Sequence, residues 1–452
     1  MLTSEAASPD LIYGLDDKPP LRSSIFAALQ HVLAVFVGIV TPPLIFAKAL
    51  KLNSSDEGLL VSMALLISGI GTILQSRRLG PIGSGLLSIQ GTSFVFLGPI
   101  IALAQTAMAE GASQRAALSM VFGACLLCAL VPIIISPFLQ FANKLITPLV
   151  TGIVVTLIGL TLVQVGITSL GGGFEARGNG SFGSPQNLLW AAVVVSLIVV
   201  FNSSKSEWLR MASIVLGLAG GYLVAAIGGK IAFSQLHTLA WVTVPIPLHY
   251  GLGLRFTALI PFTFLYVITA IESIGDLTAT SSLTNQPITG PIYLGRLRGG
   301  VMADGVSSML AALFNSFPST TFAQNNGVIQ LTGVGSRYVA LFVGGILMLL
   351  GLCPVVAGVV QSMPPSVLGG ATIIMFGTVA VSGIKILSTV NMDRRASTIA
   401  AISFGLGLGV TFVPEIMQGM PALVKDTFSS GIATGGMCAL LLNAVLPKWR
   451  LS

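Results

Sequence analysis

Three carboxylates stand inside apolar stretches of this 452-residue chain: Glu272, Asp276 and Asp304. The other twelve acidic residues map to tails and loops. An ionised aspartate at the centre of a bilayer costs about 2.5–3.5 kcal/mol on insertion scales. No Lys or Arg occupies a comparable position to pair with them. The three must therefore be protonated, bound to donors, or set against a wet cavity. Glu272 and Asp276 are four residues apart and share one face of a helix. Two close carboxylates resist double ionisation, which suits a proton relay. A hydrogen-bonded pair that merely orders its helix is the plainer reading. Intramembrane acids are usually functional, so the relay is preferred.

A second chemical stretch runs from Phe317 to Arg337, between two long apolar blocks. Its centre is polar: Gln324, Asn325, Asn326, Gln330 and Thr332. Side-chain amides at that depth are costly unless they face a cavity or a partner. Pro318 lacks an N–H, and Gly327, Gly333 and Gly335 loosen the backbone. The pattern predicts a short extended piece followed by a short helix. Such a break survives in a bilayer only where protein buries it or it lines a cavity. A half-helix there aims its free N–H groups at a ligand in mid-membrane. Spacing alone also allows a hydrogen-bond cluster between helices with no ligand. The block from Gly80 to Ala102 is interrupted in the same way, by Ser88, Gln90, Gly91, Thr92 and Ser93, then Phe94 and Pro99. Matching short polar spans in two halves point to a transporter site. Phe94 adjoins the break, where a ring can stack on a flat heterocycle. His31 is the one histidine placed inside a span; taken alone, it reads as a packing residue. His237 and His249 lie in a loop and carry no expected function.

The elements that hold these residues are membrane spans. Hydrophobic residues make up 54% of the chain, charged residues 8%, and mean hydropathy is +0.92. Soluble domains carry about 25% charge. The length allows more than ten spans at about 20 residues each. The first apolar run, Ser24 to Leu50, is too long for a signal core and has no basic segment before it, so it is expected to stay as a span. The pI of 9.4 does not mark a nucleic-acid partner, because few charges form runs. Basic residues placed beside the membrane explain the excess. With the N-terminus in the cytoplasm and alternating spans, fifteen Lys and Arg fall inside and seven outside, as the positive-inside rule requires. Cys125 and Cys128 form a Cys-x-x-Cys pair in an apolar helix with no other ligand types nearby. They read as packing residues rather than a metal or redox site. No Walker sequence is present to indicate ATP drive.

Gln324-Asn325-Asn326-Gly327, followed by Thr332-Gly333, resembles the signature of the nucleobase–ascorbate transporter family: Gln or Glu, Asn, any residue, Gly, four residues, Thr. The resemblance runs along nearly the whole chain and is closest to bacterial xanthine permeases. It implies an all-α polytopic fold of fourteen spans, arranged as two inverted seven-span repeats, with spans 3 and 10 short and broken. Residues 24–138 (spans 1–4) and 254–360 (spans 8–11) would form a core that carries substrate. Residues 144–229 (spans 5–7) and 363–447 (spans 12–14) would form a gate that holds a homodimer together. Residues 1–23 and 448–452 would be cytoplasmic tails at the inner membrane.

The implied activity is xanthine:proton symport by alternating access. The proton gradient drives it, with no cofactor or metal, and guanine or uric acid are further candidate substrates. Glu272 and Gln324 are the implied direct base contacts, and Phe94 the implied stacking ring. Ser93, Ala323 and Asn325 complete the implied substrate site. Asp304 and Asn325 are implied to support turnover, with Asp304 the expected proton carrier and Glu272 or Asp276 its rivals. Gln324 and Asn325 are expected to be the nearest donors to Asp304. Gln30-His31 matches a family motif, so His31 is expected to orient span 3 near Ser93. Ser93 stands where some xanthine permeases have Asn, and smaller residues there go with room for uric acid. Uracil permeases carry Glu in place of Gln324 and His in place of Asp276. Neither is found here, which argues against a pyrimidine. Three other classes remain in view. An anion exchanger or sulfate permease of related fold is opposed by Glu272 unless that residue is protonated. An intramembrane aspartyl protease needs Gly-x-Gly-Asp, and Ser273 breaks that motif before Gly275-Asp276. A passive channel does not need the buried acids and broken spans.

Overall fold

The computed structural model describes residues 11–139, 147–229, 231, 242, 244–421, 424, 425, 428 and 430–447. Lys144, His237 and the chain end from Lys448 lie outside the described residues. The apolar runs form α1 (Leu21–Ala49), α2 (Ser54–Ser76), α3 (Leu97–Ala109), α4 (Gln114–Cys128), α5 (Pro148–Leu170), α6 (Pro185–Asn202) and α7 (Ser213–Ile227). The second half forms α8 (Phe256–Leu283), α9 (Gly290–Leu313), α10 (Gln324–Thr332), α11 (Val339–Leu352, then Pro354–Gln361), α12 (Pro365–Ser388), α13 (Arg394–Phe412) and α14 (Gly431–Val445). Two three-residue strands, β1 (Gln90–Thr92) and β2 (Ser319–Thr321), precede α3 and α10. Among the described residues, eight helices are long and apolar enough to cross a bilayer, or nine with bent α11 counted as one span. The protein is an all-α polytopic membrane protein apart from those two strands.

Local chemistry sets the helix ends. Asn53, Ser113, Thr147, Ser184, Asp393 and Ser430 each accept an N–H of the turn that follows, satisfying donors that the helix itself cannot. α1 continues through Pro42 and Pro43. Pro354 does break its helix, and α11 turns by 75° there, because proline removes an N–H and clashes with the preceding turn. Residues 338–360 are therefore not the single straight span that their hydropathy predicts. α9 begins at Gly290 and includes Arg296 and Arg298, so these two basic residues stand in a helix. Glu57, expected in a loop, is buried in the first turn of α2, and Lys48 Nζ lies 3.3 Å from its carboxylate.

The helices pack in two sets. α5 lies along α12, α12 also packs on α6, α6 on α7, and α13 on α14. In the other set α2 lies along α11, α1 packs on both, and α9 packs on α2, α4 and α8. α8 reaches across to α5 and α14.

β1 and β2 cross in the middle of the second set. They pair antiparallel, with Gln90 opposite Thr321, Gly91 opposite Thr320 and Thr92 opposite Ser319. The pairing extends through Ser93 N–H to Pro318 O (2.8 Å) and Phe322 N–H to Ile89 O (3.0 Å). All six strand residues are buried. Each break thus supplies the backbone partners that the other needs away from water. The extended-then-helical form predicted for 317–335 is the form observed.

Phe322 fixes how closely the two breaks approach α1. A Cβ on Gly91 would stand 2.4 Å from its ring, and one on Gly38 of α1 would stand 2.6 Å from it. Neither position has room for a side chain. Gly91→Ala should therefore destabilise the protein by about 1–3 kcal/mol, the usual range for overpacking. A lowered melting temperature in detergent, partly restored by adding Phe322→Leu, is the expected result. An unchanged transition in the single mutant would contradict this packing.

Residues 11–18, expected to be a free polar tail, are strapped to the chain leaving α10. Gly333 ends that helix in the left-handed region at φ +65, as a helix C-cap favours. Its carbonyl accepts from Ile12 N–H (2.8 Å) and Tyr13 N–H (3.2 Å). Gly335 N–H donates to Tyr13 O, Arg337 N–H donates to Leu15 O, and the Arg337 guanidinium meets Asp16 at 2.7 Å. Leu15 is buried. Its apolar side chain gives the strap an anchor that a merely solvated tail would lack.

Candidate functional site

The β1–β2 crossing gathers the polar residues from both halves. α10 begins immediately after β2, and Gln324 is its first residue, half-buried. Among the described residues, the N–H groups of Ala323 and Gln324 have no acceptor. They form the positive end of the half-helix. α8 packs against both β2 and α10 and brings the carboxylates. Glu272 Oε2 is buried without a partner among the described residues. Ser273 Oγ lies 3.3 Å from Thr320 Oγ1. Asp276 Oδ2 accepts from the Thr321 hydroxyl at 3.1 Å. The charges of Glu272, Asp276 and Asp304 lie close enough to act on one another.

Asp304 sits in α9 and is buried. Its donors are not Gln324 and Asn325, the residues expected from nearness in sequence. Gln90 Nε2 donates to Oδ1 at 2.5 Å, Gln75 Nε2 lies 3.4 Å from the same oxygen, and the Ser273 hydroxyl stands beside the carboxylate. Amides from α2 and β1 thus solvate an acid that, among the described residues, has no cationic partner.

Asn325 points elsewhere. Its Nδ2 donates to Leu87 O at 2.6 Å, tying α10 to the segment before β1. His31 is buried beside it. Asn326 makes a further tie, since its Oδ1 accepts from Thr280 Oγ1 at 2.6 Å. Ser93 is buried, and its hydroxyl has no partner among the described residues. Phe94 stands one residue on, with its ring 5.2 Å from Phe376 of α12 at 84°. That edge contact places it where the two helix sets meet. At the far end of α3, the Arg255 guanidinium grips Glu110 at 2.6 and 2.8 Å. It holds that carboxyl below its ordinary range. The pair is exposed, and such pairs contribute little to stability.

A model of the Permease family matches residues 22–416. The chain is 47% identical to the xanthine permease XanP of Escherichia coli K12, over 99% of this chain and 98% of that protein. It is 42% identical to the xanthine permease XanQ of the same strain, over 98% of this chain and 95% of that protein. The chain belongs to the nucleobase–ascorbate transporter family. It is a membrane permease and not an enzyme. Among solved structures, the transmembrane domain of the cyanobacterial bicarbonate transporter BicA resembles it with a TM-score of 0.56 at 15% identity, covering 96% of this chain and all of that one. That likeness shows a shared fold.

The family signature acquires a physical meaning here. Gln324 and Asn325 open the half-helix. Thr332 closes it: its hydroxyl donates to Val328 O at 2.8 Å and accepts from Val334 N–H at 3.2 Å. Gly333 then supplies the left-handed turn. Gly327 faces open space, and nothing in the structure explains a glycine there. Gln75 and Thr321 are site residues that do not stand out in the sequence, and Gln90 stands out there only as part of a polar interruption, not as a partner of Asp304. The signal available for the two glutamines is an amide in an apolar run with no charge nearby to account for it.

Proposed function

We propose that this permease is a xanthine:proton symporter that imports purine bases across the inner membrane by alternating access. One observation carries the reading. At the crossing, a carboxylate oxygen on Glu272 shares the site with N–H groups at the start of α10, and neither has a partner among the described residues. A purine dione presents ring N–H groups to such an acceptor and carbonyls to such donors. The xanthine permeases to which the chain is so similar support that choice of base.

In this reading Glu272 accepts from ring N–H groups and Gln324 both donates and accepts. Ala323 offers its backbone, and Asn325 braces the half-helix. Ser93 borders the base. Phe94 offers the ring face not engaged by Phe376. Asp304 takes up and releases the proton, with Asp276 and His31 in support. The set α1–α4 with α8–α11 acts as the moving core. The set α5–α7 with α12–α14 acts as the gate and dimer contact. The fourteen helices are the fourteen spans, with both termini cytoplasmic. The anion-exchange reading has only fold likeness behind it, and an ionised Glu272 opposes it.

Uptake of labelled xanthine into cells without purine permeases of their own tests the substrate class. Xanthine itself should compete strongly and uracil not at all. Equal competition by uracil would overturn the purine assignment.

A further inference from the structure

We infer that Gln90 is a positioning residue that reports the protonation state of Asp304 to the β1–β2 crossing. The inference rests on the symport reading and deepens it.

Gln90 is held at both ends of its own geometry. Its backbone N–H donates to Thr72 Oγ1 at 3.0 Å, and Thr72 donates in turn to Ser68 O at 2.7 Å. α2 therefore pins the main chain. On the other side Gln90 is in register with Thr321, whose hydroxyl donates to Asp276. The side chain is buried, and its two polar ends are unlike. Nε2 donates to Asp304 Oδ1 at 2.5 Å, while Oε1 has no partner among the described residues.

Gln75 cannot play the same part. Its Oε1 accepts from Ser84 N–H (3.3 Å), and its Nε2 also meets Gly300 O at 3.4 Å. Its amide is fixed by the backbone.

An amide carries donor and acceptor on one rotatable group. The donor end of Gln90 suits an ionised Asp304. A protonated Asp304 has an O–H to donate and needs an acceptor, and a half-turn of the Gln90 amide brings Oε1 to it. No bond is made or broken beyond the transfer of one proton from water to Asp304. The turn exchanges the group that the amide presents away from Asp304, from an acceptor to a donor. That exchange occurs one strand pair from Thr321 and Asp276. Among the described residues, the titratable groups facing Asp304 are Glu272 and Asp276, both on α8. From α2 and β1 the facing groups are the neutral amides of Gln75 and Gln90.

Gln90→Met keeps length and removes both polar ends, whereas Gln90→Glu keeps shape and removes the donor. Both disfavour ionised Asp304. The pH at which xanthine uptake falls off should rise by about one unit or more in each, one unit being a tenfold change in the proton equilibrium. Placed on Asp304→Asn, Gln90→Met, which adds no titratable group of its own, should not alter the remaining pH dependence of xanthine binding, because the group that Gln90 reads is gone. A pH profile that keeps its position in both single variants, at whatever absolute rate, overturns the inference. So does a shift that persists on Asp304→Asn. In the parent, uptake that ignores an imposed proton gradient would sink the symport reading itself and this inference with it.

Discussion

Glu272→Gln should weaken xanthine binding by roughly tenfold to over a hundredfold, the equivalent of about 1.5–3 kcal/mol for a hydrogen bond to a charged group. The substitution barely changes shape. It replaces an acceptor-only carboxylate by an amide with two donors. A ring N–H of the base then meets an N–H unless the amide turns. Glu272 Oε2 is buried and has no partner among the described residues, so few protein bonds are disturbed and the loss should fall on the ligand. Binding of labelled xanthine to the purified variant measures it. Unchanged affinity would remove Glu272 from the site.

The second large effect is expected at Asp304, and it divides binding from work. Asp304→Asn keeps an oxygen that can accept from Gln90 Nε2, so the brace between α9 and β1 survives. It loses the ability to titrate. The variant should bind xanthine within a few-fold of the parent, with weaker dependence on pH, while concentrative uptake disappears. Linkage requires this pattern of a group whose proton equilibrium is coupled to substrate. If Asp304 were only a brace, Asn would serve almost as well as Asp. Accumulation against a gradient by Asp304→Asn would therefore exclude it as the carrier and leave Asp276 or Glu272.

Much of the site was legible because membrane chemistry makes exceptions conspicuous. Amides, a proline and three glycines between apolar blocks at 317–335 have few structural solutions, and extended-then-helical is the one found. The three intramembrane acids stood out for the same reason. What the sequence did not disclose is the partner of each group. Gln90 and Thr321 are 231 positions apart and meet in register. Nothing in local pattern encodes that meeting. Asp304 was expected to find donors one span later, on Gln324 and Asn325. It finds them on α2 and β1, because the crossing brings the two interrupted halves together while Asn325 is turned to Leu87.

The strap at 11–18 was hidden differently. Leu11, Ile12, Tyr13 and Leu15 lie among polar neighbours, and Ile12, Tyr13 and Leu15 pair with 333–337 through the backbone, which leaves little side-chain signal beyond the Asp16–Arg337 pair. The break in α11 was available in Pro354. The apolar run on both sides of it concealed the bend, because hydropathy is blind to backbone geometry.

The central claim is that xanthine movement is coupled to protons. The purified protein in liposomes, given an inward-directed proton gradient and labelled xanthine, tests it without help from the cell. Internal xanthine should rise transiently above the external concentration and fall back when a protonophore is added. Equilibration to the external level with and without the gradient, at the same rate, would contradict the account.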